Sequence, residues 1–349
     1  MRVLAYYGSN DLREEEWPKP QPGPGQVRVA IKAVCLSGVD VLRYTSGGFG
    51  DERLPQPFIL GQDAAGLIDA VDADVTALPQ GTPVVLDPVI ACGRCTACHA
   101  QQHDQCCEPL VLGWPPTHGA LAEYVVVPAR NVVPVAARVS FAELACIAPF
   151  SLALHAAAVA QIVPNTTVVI LGAGGMGLLC LLAAQHAGAR VVAVVDPVPA
   201  RAALARQLGA EMSCTQLDAA DLARAAGARG VEVVFETAGS DAALADALDV
   251  AAPGARIALV GLSAERTRQF PVQLARRKEV HLLNICHAHH TLRAAAHVIE
   301  TGAVSLAPLI SQRVPWDKAE DAFARAARRA EDTIRISLEP EELDEPFHP

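Results

Sequence analysis

The segment Val168 to Leu179, VVILGAGGMGLL, constrains this chain more than any other. Glycines at 172, 174, 175 and 177 split the apolar run from Val168 to Ala184 into a short β-branched piece and a Leu/Ala-rich piece, which reads as buried strand, tight turn and helix rather than a bilayer span. Gly172, Gly174 and Gly177 stand in GxGxxG spacing, with Gly175 beside them. The first glycine permits the turn, the second lets a pyrophosphate approach the backbone, and the third allows helix and strand to pack closely. N–H groups at the helix start then bind phosphate. A second strand, VVAVVD, ends in Asp196, roughly 20 residues further on, where a carboxylate accepts hydrogen bonds from ribose hydroxyls and repels a 2′-phosphate. The pattern therefore predicts NAD(H) in preference to NADP(H), with Arg201 as the counter-signal. Ala238 in ETAG and Val260 in VGL follow apolar strands, at the sheet edge where ligands of open α/β sheets bind.

Around this motif the chain changes character. The first 150 or so residues are rich in short β-branched segments bounded by Gly or Pro (27–34, 66–70, 83–86 and 124–127), and Pro18, Pro20, Pro22 and Pro24 make a surface crossover. From Phe141 onward, Ala-rich helical stretches alternate with strands at 167–171, 190–195, 231–235 and 256–260, the signature of a parallel sheet covered on both faces. Residues 292–300 and 316–329 read as helices and 333–338 as a strand, followed by an acidic, Pro-containing tail. The formal net charge of −10 argues against a general nucleic-acid binder, which needs dense positive charge along phosphates. The N-terminus lacks a signal or transit pattern, so a cytoplasmic protein with no membrane partner is expected.

Four of the ten cysteines occur as Cys92, Cys95, Cys98 and Cys106. Thiolates at this spacing converge on one tetrahedral zinc, and four sulfurs leave no open position, so the role would be structural. A disulfide loop and an iron–sulfur cluster are the alternatives, and Cys107 competes with Cys106 as the fourth ligand. Cys35, Cys146, Cys180, Cys214 and Cys286 read by default as buried small side chains.

Together with PFILGQDAAGLI, the cysteine loop and the glycine turn resemble the medium-chain dehydrogenase/reductase family, in its zinc-containing alcohol, polyol and threonine dehydrogenase branch. The resemblance implies an α/β protein with a GroES-like β-rich catalytic domain (1–152), an inserted Rossmann domain with a doubly wound parallel sheet (153–290), a C-terminal return (291–349), and a cleft at the junction. It also implies a homodimer or homotetramer that interconverts an alcohol and a carbonyl. Members carry a second, catalytic zinc, and here the match departs. The ligand cysteine of a segment resembling GICGSDxH falls on Ser37, the proton-relay hydroxyl on Val39 and the relay histidine on Leu42. The histidine of GHE falls on Gln62, followed by Asp63, and the third ligand of a segment resembling EPLSVALHA falls on Ala148. Hydroxyl and amide are poor zinc ligands beside thiolate and imidazole.

Without a Lewis acid, hydride transfer to an activated acceptor needs only a hydrogen-bond donor at the oxygen. Ser37, Tyr44 and Gln62 are the candidate donors; Asp63 or Asp40 could position groups or exchange a proton. His155, His281, His287, His289 and His290 are weaker candidates. The expected function is NAD(H)-linked hydride transfer on a small or medium organic substrate without catalytic zinc. A catalytically silent cofactor-binding homologue and a zinc enzyme with atypical ligands, such as Cys35 or His155, are the alternatives.

Overall fold

The N-terminal residues pair as an antiparallel hairpin, β1 (Arg2–Gly8) with β2 (Asp11–Glu16). The structure, a computed structural model, describes residues 1–48, 53–136, 139–216, 226–227, 230–263, 265–288, 291–330 and 332–340. The acidic tail, His289 and His290 lie outside the described residues. The chain divides into two units, one made of Met1–Ala148 with His289–Pro349 and the other of Pro149–Ala288.

In the first unit, VRVAIKAV lies within β3 (Gln26–Cys35), which is followed by α1 (Gly38–Ser46), β4 (Phe58–Ile59), β5 (Asp63–Val71), β6 (Pro83–Leu86), the short pair β7 (Val89–Ile90) and β8 (Leu110–Val111), β9 (Tyr124–Pro128) and β10 (Val132–Pro134). Between β7 and β8 lies α2 (Thr96–His99). A seven-stranded sheet runs β10-β6-β5-β3-β18-β17, with β9 also pairing with β3. Its last two strands come from the far end of the chain, β17 (Ile310–Pro315) and β18 (Arg335–Glu339), and Ser337 and Leu338 of β18 register against Cys35 and Val34 of β3. Val27, Val29, Ile31, Val34, Leu60, Leu86, Leu121, Phe323 and Leu338 form its core. Short α3 (Phe141–Ala145) opens with a Ser140–Glu143 capping box, which satisfies N–H groups at the helix start.

The chain enters the second unit within α4 (Ile147–Val159). The stretch Phe141–Val159 is long and apolar enough to cross a membrane, yet 67% of its most apolar window is buried inside the protein, as in a core helix. Six strands follow: β11 (Thr167–Leu171), β12 (Arg190–Val195), β13 (Ser213–Cys214), β14 (Val231–Glu236), β15 (Ala251–Leu259) and β16 (His281–Asn284). All pairings among them are parallel, in the order β13-β12-β11-β14-β15-β16. That order reverses between β11 and β14, the switch point where doubly wound sheets bind ligands. Helix α5 (Gly175–His186) follows β11 and α6 (Pro199–Gln207) follows β12.

Candidate functional sites

The turn after β11 has three glycines in three different situations. Gly172 has φ +106°, a left-handed conformation that side chains resist. A Cβ on Gly177 would land on the carbonyl oxygen of Gly172, so only glycine lets α5 pack this close to the strand. A Cβ on Gly174 would meet nothing within 4 Å. Gly174 is the N-cap of α5 and, having no side chain, makes no side-chain cap bond.

Asp196 closes this loop from β12. Its carboxylate is 5% exposed and accepts from the N–H of Ala173 at 2.7 Å and of Val198 at 2.9 Å. Each oxygen keeps a lone pair for a further donor. Arg201 lies half-buried in the first turn of α6. Across the switch point, Thr237 Oγ1 donates to the carbonyls of Leu171 and Gly172, and the fully buried Glu236 carboxylate accepts from the N–H groups of Ala238 and Gly239. The N–H of Val260 donates to the Glu236 carbonyl at 2.9 Å. Ala238 and Val260 are thus pinned at the C-terminal edge of the sheet. Glu236 and Thr237 lie in the segment the sequence marks as sheet-edge material, and their bonds hold that edge together.

In the first unit, the sulfurs of Cys92, Cys95, Cys98 and Cys106 all lie within 4.8 Å of one another. Among the described residues this is the one group of three or more His, Cys, Asp or Glu side chains so arranged. Cys95 is the N-cap of α2, and backbone N–H donors from Cys107 and Cys98 pull its thiol down to about 5. Burial, then the hydrogen bond to Cys95, pushes Cys98 up to about 12. Such a cluster cannot ionise throughout without a cation to take up the charge, and a tetrahedral zinc suits this donor set. Cys107 is exposed and outside the four.

The positions matched to the catalytic metal are otherwise engaged. Ser37 is the N-cap of α1: its hydroxyl donates to Asp40 Oδ2 at 2.6 Å and accepts from the Asp40 N–H at 3.1 Å. Asp40, wholly buried, also accepts from the N–H groups of Ser37 and Gly61, and burial raises its pKa against these bonds. Ser37 is therefore a cap rather than the substrate donor the sequence suggested, and Asp40 is its structural partner. Tyr44 is corrected too: it is 3% exposed in the core of the first unit, with its ring 4.6 Å from that of Phe323. Cys35 turns away into the interior, its sulfur 3.3 Å from that of Cys146. Ala148 is buried and offers no ligand.

Gln62 and Asp63 remain. Gln62 is half-buried, and its Oε1 accepts from Trp114 Nε1 at 3.0 Å. The Trp114 ring is stacked under the fully buried Arg43 guanidinium, 4.2 Å away, and Arg43 donates to the Gly113 carbonyl. Asp63 is 3% exposed and faces Arg335 Nη1 at 3.1 Å. Burial raises its pKa to about 6, with Arg335 opposing, the Asp40 charge adding to the rise and a hydrogen bond to Gln62 lowering it slightly. Trp114, Arg43 and Arg335 were missed from sequence; a lone Arg in the apolar strand IRISL was the one visible hint. His155 is half-buried on α4 and His281 exposed on β16.

A six-stranded parallel sheet with this glycine turn, together with a β-rich unit carrying the cysteine loop, defines a dinucleotide-fold oxidoreductase. The family comparisons are specific: the model for the alcohol dehydrogenase GroES-like domain matches residues 23–137 and that for zinc-binding dehydrogenase matches residues 175–301. The chain is 30% identical to sorbitol dehydrogenase of Bacillus subtilis, covering 97% of each protein, and 32% identical to L-idonate 5-dehydrogenase of Vitis vinifera, covering 92% of this chain and 90% of that one. It is also similar to a solved Escherichia coli short chain alcohol dehydrogenase in complex with NADH, with a TM-score of 0.88, 25% identity, and 97% of this chain and 99% of that chain covered. The chain belongs to the zinc-containing medium-chain dehydrogenase/reductase family, in its alcohol and polyol dehydrogenase branch, and is an oxidoreductase.

Proposed function

We propose that this chain transfers hydride between NAD(H) and a small or medium-sized carbonyl, enone, alcohol or polyol, with one structural zinc and without a catalytic one. The observation that carries this reading is the unequal fate of the two sites. The glycine turn has the open Gly174 face and the tight Gly177 contact that a pyrophosphate requires. The positions matched to zinc ligands instead hold a capping serine, a clamped amide and an alanine. That donor set does not fit a catalytic zinc.

Bound NAD(H) supplies the hydride. The residues that would hold it are Gly172, Gly174, Gly175 and Gly177 at the phosphates, Asp196 and Arg201 at the ribose end, and Ala238 and Val260 at the nicotinamide half. Gln62 is the proposed donor to the substrate oxygen. With Oε1 held by Trp114, its amide nitrogen is the end left to donate, and it carries two hydrogens, one for Asp63 and one for substrate. Asp63 is a positioning residue behind it. Among the described residues the edge strand β16 pairs only with β15, which supports assembly as a homodimer or homotetramer.

The test is elemental analysis with cofactor titration on the untagged protein. About one zinc per chain is expected, with NADH binding and turnover on part of a carbonyl, enone and polyol panel, reduced in Gln62→Leu without loss of NADH affinity. A second tightly held zinc whose removal abolishes turnover would overturn the reading. NADH binding with no turnover across the panel would favour a silent homologue.

A further inference from the structure

Cys35 and Cys146 take no part in the function proposed above, yet they are not isolated core thiols. Their sulfurs are 3.3 Å apart and both residues are wholly buried. Each is held by a regular element: Cys35 ends β3, paired in register with Asp63 of β5 and Ser337 of β18, and Cys146 is the C-cap of α3, its N–H bonded to the carbonyls of Glu143 and Leu144. Helix α3 packs against both β3 and β5. The Asp63–Arg335 pair belongs to the same buried node, and the guanidinium favours thiolate at Cys146. The hydrogen bond between the two sulfurs is the largest cause, with either sulfur able to donate, and with the guanidinium it holds the Cys146 thiol below its ordinary value against burial. A lone buried thiol behaves oppositely: burial pushes Cys180 up to about 12.

We propose that Cys35 and Cys146 form a reversible oxidation site, a buried dithiol that a hydroperoxide converts to a disulfide. The Cys146 thiolate attacks the peroxide: an S–O bond forms, the O–O bond breaks, and the departing oxygen takes a proton. Cys35 then attacks the sulfenic sulfur: the S–S bond forms, the S–OH bond breaks, and hydroxide leaves as water with the Cys35 proton. Two thiols are oxidised and one hydroperoxide is reduced, to two waters when it is hydrogen peroxide. The sulfurs must close from van der Waals contact to about 2.05 Å, a short path between side chains already aimed at each other. Cys35 lies two residues from Ser37 and Cys146 two from Ala148, so the bridge would tie together the two backbone segments that flank the matched ligand positions.

The test is peroxide titration of the full-length, zinc-loaded protein, followed by alkylation in denaturant, non-reducing digestion and mass mapping. Alkylation at Cys35 and Cys146 should be lost together, one for one, with appearance of the cross-linked peptide and recovery on dithiothreitol, while Cys180 stays alkylatable. In Cys35→Ser the cross-link should vanish and Cys146 should be trapped by dimedone as the sulfenic acid. Full alkylation of both at doses that oxidise the exposed Cys107 and Cys286 would overturn the proposal. So would parallel loss of Cys180, which marks general unfolding as the route. If Cys35→Ser does not fold, the wild-type map alone decides.

Discussion

Replacing Arg335 by Leu removes the cation facing Asp63, and the structure sets how the damage should depend on pH. In the folded protein Asp63 titrates at about 6, against 3.8 for the free side chain. A raised carboxyl pKa means that the native state holds its proton longer than the unfolded chain does. Stability from this group is therefore fully present below 3.8 and declines as pH rises to about 6, by about 3 kcal/mol at about 1.4 kcal/mol per unit. Without Arg335 the folded pKa climbs further, so the variant keeps losing stability above pH 6 while the wild type has levelled off. The stability gap between them should be flat below about pH 6 and then widen by up to about 1.4 kcal/mol per pH unit. Protonation thus caps the ion-pair part of the loss near 1.4 kcal/mol at pH 7, on top of a pH-independent loss of packing. Urea denaturation of both proteins at pH 5, 6, 7 and 8 reads the gap, and adding Asp63→Asn to the Arg335→Leu variant should abolish its pH dependence. A gap that stays constant to within about 0.5 kcal/mol from pH 5 to 8 would refute the reasoning.

Four further variants probe the glycine turn, the cysteine loop and the Gln62 clamp. Gly174→Val should leave stability within about 0.5 kcal/mol, because a Cβ there meets nothing, yet abolish NADH binding measured by fluorescence; Gly177→Ala should cost about 1–3 kcal/mol by forcing backbone apart. Cys92→Ala with Cys95→Ala should eliminate the proposed structural zinc in elemental analysis and lower the thermal midpoint, while NADH titration of the folded fraction remains normal. Trp114→Phe keeps the ring under Arg43 but removes the N–H bonded to Gln62, so stability should fall by about 1 kcal/mol and kcat should fall more than the NADH affinity.

Periodicity and punctuation made the sheets legible. Strands at 167–171 and 190–195 coincide with β11 and β12, because buried parallel strands read as unbroken β-branched runs. What escaped were elements whose patterns are mixed. β2 reads DLREEE, a mostly exposed edge of a hairpin, and β16 is a four-residue edge strand, HLLN, which pairs only with β15 among the described residues. The glycine turn and the cysteine loop were legible as sites because each is local in sequence. The polar node was not, since it joins residue 35 to 146 and 63 to 335, and long-range partners leave no spacing to read.

That non-local node also explains why Ser37 reads differently in structure and sequence. Aligned by motif, it is a lost thiolate; in space it is a helix cap. A Ser N-cap contributes about 1 kcal/mol, and here it is bonded to a buried Asp40 that also ties down the N–H of Gly61, next to Gln62. Serine at 37 therefore strengthens the turn that places Gln62, whose other end is fixed by Trp114. The change at the first ligand position and the change at the second act on the same few backbone atoms. A metal needs ligands that converge on one point, with their lone pairs free. Here the hydroxyl and the amide oxygen are each committed to a protein partner, which on the proposed function leaves the amide N–H2 of Gln62 to donate to a substrate oxygen. Hydrogen bonding in place of a Lewis acid suits substrates that are already electrophilic, so within the proposed range activated carbonyls and enones fit this donor better than unactivated alcohols and polyols.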